Sequence, residues 1–306
     1  MTTGIVTVDK PSGMTSHTVV DRMRRIFGQK SVGHGGTLDP MATGVLPIFL
    51  GRATRASAYA LEGDKTYAAR LRFGISTDTQ DITGTTLRTC DSVPSREAVL
   101  AVLPRFTGVI SQVPPMYSAV QKDGKRLYEL ARRGMTVERE ARTITIYEIS
   151  LYEGRLPEES RSPFGDAGDG ELDILVTCSK GTYIRTLAAD IGDALGCGAA
   201  LAALRRMKTG VFTLEDAYTL EQLEDMKENG SLGDAVRPCD RLFADLPCLT
   251  LDAEGEERIR RGAPVYLMEP AGRYRLYGRT GEFLGLGAVR ETDRRPELMI
   301  EKGMME

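Results

Sequence analysis

Residues 33 to 47 read Gly33-His34-Gly35-Gly36-Thr37-Leu38-Asp39-Pro40-Met41-Ala42-Thr43-Gly44-Val45-Leu46-Pro47. Gly33, Gly35, Gly36 and Gly44 fall within twelve positions. Glycine takes positive φ without steric cost and lets a backbone come close to a ligand. Asp39 stands among them, directly before Pro40. Taken alone, an Asp-Pro after glycines is a turn or a helix cap, because the carboxylate accepts backbone N–H bonds there. So dense a run of permissive residues exceeds what a simple turn needs. A second reading, a carboxylate held out for chemistry, therefore stands beside the first.

Outward from this stretch, Ile5 to Val8 reads as a short buried strand ended by the turn-forming cluster Asp9-Lys10-Pro11-Ser12-Gly13. Ser16 is placed to cap a helix in which Val19, Val20, Met23, Ile26 and Phe27 recur at helical spacing. Downstream come an apolar strand from Val45 to Leu50 and a helix from Arg52 to Leu61. Tyr67, Ala69, Leu71 and Phe73 alternate with Ala68, Arg70 and Arg72, the pattern of a half-buried strand. Ser95 to Phe106 reads as a helix, and Thr143 to Tyr152 and Glu171 to Cys178 as strands. The Gly-, Pro- and Ser-containing stretch from Gly154 to Gly170 reads as a surface loop. Ile184 to Leu195 is a helix closed by Gly196, and Thr219 with Gln222 makes a capping box. Without a regular β-α-β alternation, the class is α+β with a mixed, largely antiparallel sheet.

Near residues 235 to 248 the character changes to a Pro-containing linker. Beyond it lie a short helix, Ala253 to Arg261, and three strand-like runs: Val265 to Met268, Tyr274 to Tyr277 and Phe283 to Val289. The expected division is a domain over 1–235 and a small β-rich unit over 246–306. So small a unit would be marginal by itself and is expected to pack on the first.

The chain has 306 residues, a formal net charge of −3 and 27% charged residues, as an ordinary soluble protein does. No apolar run approaches the roughly 20 residues that cross a bilayer, and the N-terminus carries no leader pattern. The expected location is the cytoplasm, with no membrane partner. The five cysteines form no Cys-x-x-Cys pair, and both histidines lie far from them in sequence, so no metal site is expected. Net charge alone neither points to nucleic acid nor excludes it.

The stretch 33–47 resembles the catalytic motif of the bacterial TruB-type tRNA pseudouridine-55 synthases and their dyskerin-like relatives. Further matches follow in order: Val8-Asp9-Lys10-Pro11-Ser12-Gly13-Met14, Lys65-Thr66-Tyr67, Cys178-Ser179-Lys180-Gly181-Thr182-Tyr183-Ile184-Arg185, and Leu204-Arg205-Arg206. Any one short motif can arise by chance, but five in register do not. The resemblance runs from about residue 4 to about 233. More weakly, Arg275-Leu276-Tyr277-Gly278 and Gly281 to Gly287 look like the small PUA-type RNA-binding module of bacterial members.

The resemblance implies that Asp39 is the catalytic nucleophile in isomerising a T-loop uridine of tRNA (position 55 by family convention), without cofactor or metal. Arg185 would keep Asp39 ionised under a bound base; outside the motif it reads as an ordinary surface arginine at a helix start. Tyr67 would pack on the extracted uracil, its alternative being a strand aromatic in the core. Tyr183 and Leu204 would line the pocket. His34 would help hold the opened T-loop, since the reacting atoms cannot be reached in a stacked loop. Lys10 and Arg205 are expected to contact RNA. Residues 117–142 correspond to a thumb that closes over the tRNA arm. From 121 to 142 seven basic residues face four acidic ones, and Lys122, Lys125, Arg126, Arg132, Arg133 and Arg142 are the expected phosphate contacts. A solvated helix face is the alternative there. The partner is tRNA, with no guide RNA, and the expected oligomeric state is a monomer.

Overall fold

The computed structural model describes residues 1–122, 124–152, 163–292 and 295–304. It forms two compact units that interleave along the chain. One comprises 1–40, 45–62 and 210–306, the other 41–44 and 63–209. This partition follows contacts in space and cuts the chain elsewhere than the expected 235–246 boundary.

In the first unit, strand Gly4–Lys10 pairs in parallel with Ala217–Tyr218, and Val32–His34 pairs antiparallel with Thr43–Leu50. Helix Ser16–Phe27 buries Val19, Val20, Met23 and Ile26 against Val6, Val8, Leu46, Ile48, Leu220 and Leu223. Each such side chain contributes about 1.5–3 kcal/mol on burial. The neighbouring Arg22–Glu224 pair, with hydrogen bonds of 2.9 and 2.8 Å, is partly exposed and worth about 1 kcal/mol or less. Apolar burial therefore docks this helix and the ion pair only orients it. The expected capping box is present: Thr219 accepts from Gln222 N at 3.2 Å, and Gln222 accepts from Thr219 N at 2.8 Å.

The tail folds as a five-stranded sheet in the order Cys248–Thr250, Gly272–Tyr277, Phe283–Arg290, Glu297–Gly303, Val265–Tyr266, with helix Ala253–Arg260. Its own core holds Leu251, Ile259, Leu276, Leu284 and Leu298. Leu286 and Met304 join a second cluster with Val45, Phe49, Phe212 and Phe243. A small β-rich module that would be marginal alone thus shares apolar burial with the rest of its unit.

The second unit is built on a sheet ordered Ala199–Thr209, Lys65–Phe73, Glu171–Cys178, Arg142–Leu151, Gly108–Gln112, each neighbouring pair antiparallel. Thr43 and Gly44 add a short parallel pairing to Arg205 and Arg206. Gly44 has φ +100° and approaches so closely that a Cβ would lie 2.2 Å from Arg206 O. Only glycine allows that approach. Helix Ile184–Ala194 packs on strand Ala199–Thr209. With helices and a mixed sheet, the α+β class expected from the sequence is what the chain adopts.

Several expectations need correction. The cap of the first helix is Thr15, whose side chain accepts from Thr18 N; Ser16 is buried. Residues 51–60 form a 3-10 turn, Gly51–Ala56, and one short α-turn, Ser57–Ala60, instead of a continuous helix. Of the loop expected at 154–170, residues 154–162 lie outside the described residues. Its remainder is held by Arg70, which forms a two-pronged pair with Asp173 (2.7 and 2.9 Å) and donates to the carbonyls of Gly165 and Asp166.

One helix residue carries an electrostatic cost. Burial, aided by the Asp193 carboxylate, pushes the Asp190 carboxyl from the usual 3.8 up to about 6. The folded state then holds its proton more tightly than the unfolded chain, so stability falls as pH rises from about 4 to about 6 and is level above. Asp190→Asn is expected to raise stability at pH 7.5 by on the order of 1 kcal/mol after allowing for solvent screening, read as a higher melting temperature, and to leave the melting temperature nearly unchanged at pH 4. Equal effects at both pH values would show that ionisation is not the cause.

Candidate active site

Asp39 lies in the first unit, in the loop joining the paired strands Val32–His34 and Thr43–Leu50. Both of its neighbours are pinned by residues from the 10–16 stretch. Leu38 is buried; its N–H donates to Ser16 Oγ at 2.9 Å, and Ser16 Oγ donates to Leu38 O at 3.1 Å. Pro40 O accepts from Gly13 N at 2.8 Å and from Lys10 Nζ at 3.2 Å. Gly35 enters the loop where a Cβ would stand 2.8 Å from Ala60 Cβ and from the Phe49 ring. The Asp39 carboxylate is thus carried on a backbone fixed immediately before and after it. Such preorganisation is what a positioned nucleophile requires.

Lys10 departs from its expected role. It is fully buried, and its ammonium donates to Pro11 O, Met14 O and Pro40 O at 2.8, 2.6 and 3.2 Å. Those contacts hold it inside the protein, where it cannot meet an RNA phosphate. Its work is to tie the 11–14 turn to the far side of Asp39. Lys10→Met should leave three carbonyls without their charged donor and lower stability by about 3 kcal/mol, measured as the shift of the thermal midpoint. An unshifted midpoint would contradict the clamp.

His34 is half-buried at the end of its short strand, opposite Ile48.

The second unit holds the other expected site residues. Tyr67 is 9% exposed on strand Lys65–Phe73, in register with Val176 on one side and Arg206 on the other. Leu204 is buried on the adjoining strand; its carbonyl accepts from Thr43 Oγ1 at 3.4 Å, and Arg205 Nη1 donates to that same hydroxyl at 3.3 Å. Arg205 is partly exposed. Tyr183 stands at the cap of helix Ile184–Ala194, and its peptide is bracketed by Gln112: Tyr183 N donates to Oε1 at 2.8 Å and Tyr183 O accepts from Nε2 at 3.1 Å.

Arg185 is no surface arginine, being 5% exposed. Its Nη2 donates to Tyr117 O at 2.8 Å and its Nη1 to Thr79 O at 3.2 Å, with Asp81 Oδ2 at 3.6 Å. Asp81 is itself buried and accepts from Thr79 Oγ1 and from Thr83 N and Oγ1. The guanidinium therefore joins three chain segments: the 79–83 loop, Tyr117, and its own helix. The sequence marks neither Asp81 nor Gln112, and it marks Ser16 only as a helix cap. Asp81 lies in the polar run Thr77-Asp78-Thr79-Gln80-Asp81-Ile82-Thr83-Gly84, where Gln80 takes a positive φ of 64°. That dense turn chemistry was the signal available.

The segment expected to form a thumb has a small core of its own. Met116, Leu127 and Leu130 are buried under a hairpin of Gln121–Lys122 with Lys125–Arg126 and the helix Leu127–Ala131. Lys122 Nζ donates to Glu138 O at 2.6 Å. Arg126 and Arg132 both lie on the Tyr128 ring, at 5.9 and 5.4 Å. Lys125, Arg133 and Arg142 are exposed. Asp123, one of the acidic residues in the expected charge balance, lies outside the described residues.

Three family patterns follow one another along the chain, from residue 24 to residue 297. The pattern of the TruB family pseudouridylate synthase N-terminal domain matches residues 24–184. The tRNA pseudouridylate synthase B C-terminal domain matches 185–244, and the pseudouridine synthase II TruB C-terminal pattern matches 247–297. The chain belongs to the TruB family of pseudouridylate synthases. It is 44% identical over 308 aligned positions to the tRNA pseudouridine synthase B of Burkholderia mallei (strain NCTC 10247), covering 98% of this chain and 97% of that one. To the tRNA pseudouridine synthase B of Dechloromonas aromatica (strain RCB) it is 45% identical, over 93% of this chain and 90% of the relative. Among solved structures, the crystal structure of a Cbf5-Nop10-Gar1 complex superposes with a TM-score of 0.71 at 28% identity, covering 99% of this chain and 85% of that chain.

Proposed function

We propose that this chain converts the T-loop uridine of tRNAs, position 55 by family convention, to pseudouridine, with Asp39 as nucleophile and no cofactor. The observation that carries this reading is the two-sided anchoring of Asp39 through Leu38 and Pro40. The near full-length identity to proteins named tRNA pseudouridine synthase B supports the substrate. In the reaction the N1–C1′ bond of the uridine breaks, the uracil turns, C5 bonds to C1′, the proton on C5 leaves and N1 takes up a proton, so any bond formed to the carboxylate is broken again and nothing is gained or lost overall. A carboxylate able to bond to the nucleotide is the minimum apparatus, and attack on the sugar and attack on the base both remain compatible with it.

In this reading Tyr67 packs on the extracted base and is a candidate acceptor for the C5 proton. Tyr183 and Leu204 line the pocket, Arg185 favours the ionised carboxylate, and His34 holds the opened loop. Lys122, Lys125, Arg126, Arg132, Arg133, Arg142 and Arg205 contact the RNA backbone. Residues 1–235 carry the chemistry and 246–306 act as a PUA-like module.

The test is the position of the product. An unmodified tRNA transcript incubated with the protein alone, treated with carbodiimide and copied by reverse transcriptase, should show one new stop, at the T-loop uridine. A stop elsewhere, or none, would overturn the reading. The likeness to the Cbf5-containing complex raises a second reading, dependence on further components. Full conversion by the purified chain without added RNA or protein would exclude it.

A further inference from the structure

Tyr183 follows directly on a turn, residues 179–182, that links strand Glu171–Cys178 to helix Ile184–Ala194. Within the turn Gly181 takes a φ of +81°, and Thr182 Oγ1 donates to Ser179 O at 2.9 Å. The start of the turn is tied to strand Arg142–Leu151: Ser179 N donates to Thr145 O at 2.8 Å, and Thr145 N donates to Ser179 Oγ at 2.9 Å. Its end is tied to strand Gly108–Gln112 by the Gln112 side chain, which accepts from Tyr183 N and donates to Tyr183 O. Those two strands are neighbours in the sheet. The turn is stapled at both ends.

The second staple has a chemistry of its own. Tyr183 N–H belongs to the peptide before its Cα, and Tyr183 O to the peptide after it. Peptides are planar, so gripping both fixes the φ of −101° and the ψ of 107°, and with them the direction of the Cα–Cβ bond. A primary amide carries an acceptor oxygen beside a donor nitrogen, as the edge of a neighbouring strand does. An ionised carboxylate only accepts, and an aliphatic side chain does neither. Gln112 is 3% exposed, and both halves of its amide are spent on this one residue. Its segment runs on through Pro114 and Pro115 to Tyr117, whose carbonyl accepts from Arg185 Nη2 at 2.8 Å. Prolines fix φ and stiffen that spacer, so positions 112 and 117 grip residues 183 and 185 together.

We propose that Gln112 is a positioning residue for the isomerisation, aiming the Tyr183 ring at the extracted uracil through its two-bond grip on the Tyr183 peptides. This rests on the reading of Tyr183 as a wall of the uridine pocket. The test uses the full chain labelled with 3-fluorotyrosine, the Tyr183 resonance being assigned by its loss in Tyr183→Phe. Gln112→Leu should shift or broaden that resonance. So should Gln112→Glu, which keeps the side chain's size and its acceptor but loses the donor. In conversion of an unmodified tRNA transcript, both variants should lower kcat by about tenfold while KM stays within about twofold of wild type. On a Tyr183→Leu background, Gln112→Glu should lower kcat by less than about twofold, because the ring it aims is gone. A role confined to stability would give the same loss on both backgrounds. That result, or a Tyr183 resonance unmoved in Gln112→Glu, would overturn the proposal. The fluorine spectrum is read without turnover, so an unmoved resonance fails the grip, whereas absent conversion by wild type fails the functional reading.

Discussion

Asp39→Asn is expected to abolish release of tritium from tRNA labelled at uridine C5, by about 10⁴-fold or more, while tRNA affinity stays within about twofold of wild type. Asparagine keeps the side chain's size and a carbonyl oxygen but loses the charge and the capacity to bond covalently to the nucleotide. The loop itself should not move, because its anchors are backbone groups of Leu38 and Pro40 held by Ser16, Gly13 and Lys10. Retained binding with lost turnover therefore separates the two jobs of the site. Turnover within about tenfold of wild type would remove Asp39 from the nucleophile's role. A parallel loss of affinity would instead mean that asparagine had disturbed the loop.

The second large effect is expected at Arg185. Arg185→Ala removes a buried guanidinium that holds Tyr117 O and Thr79 O and faces Asp81. Leaving the buried Asp81 carboxylate without that partner should cost about 3–5 kcal/mol of stability. Turnover should fall by about 10²-fold or more, with a smaller change in affinity. The double variant Arg185→Ala with Asp81→Asn distinguishes the causes. Neutralising Asp81 should restore much of the thermal midpoint, but turnover should stay low if the charge of Arg185 serves the nucleophile. Recovery of turnover together with stability would reduce Arg185 to a structural tie. Lysine is a poor substitute, since one ammonium on a flexible stem cannot span the two carbonyls as the guanidinium fork does.

Elements with clean periodicity or end signals were legible in the sequence. Helix Ser16–Phe27 shows its apolar stripe, and the Thr219–Gln222 box is written in two residues. Strand Ala199–Thr209 was not legible, although it pairs along its length with Lys65–Phe73. Its Ala, Leu, Arg, Met and Lys are good helix formers. Irregular register at Leu201/Ala203 and Arg206/Lys208 breaks the alternation that would have marked a strand. Tertiary burial overrode propensity there.

The candidate site was legible through motifs, and its supports were not. Lys10 reads as a phosphate contact because lysines are ordinarily exposed; only the fold reveals that carbonyls from residues 11, 14 and 40 surround its ammonium. Ser16 reads as a cap because serine before an apolar helix usually is one. Its hydroxyl instead meets Leu38, twenty-two positions away. Long-range hydrogen bonds leave no periodic trace in a sequence.

The bonds that hold Leu38 and Pro40 on either side of Asp39 come from one short stretch, Lys10 to Ser16. With Asp39 as the proposed nucleophile, working lifetime is expected to follow local opening of that stretch, which takes less free energy than melting the whole molecule. Amide exchange at Leu38, whose N–H is sealed by the Ser16 hydroxyl, gauges that opening at a single position. Stabilising the tail or the far strands would raise the melting temperature yet leave this gauge, and the durability of catalysis, where they were.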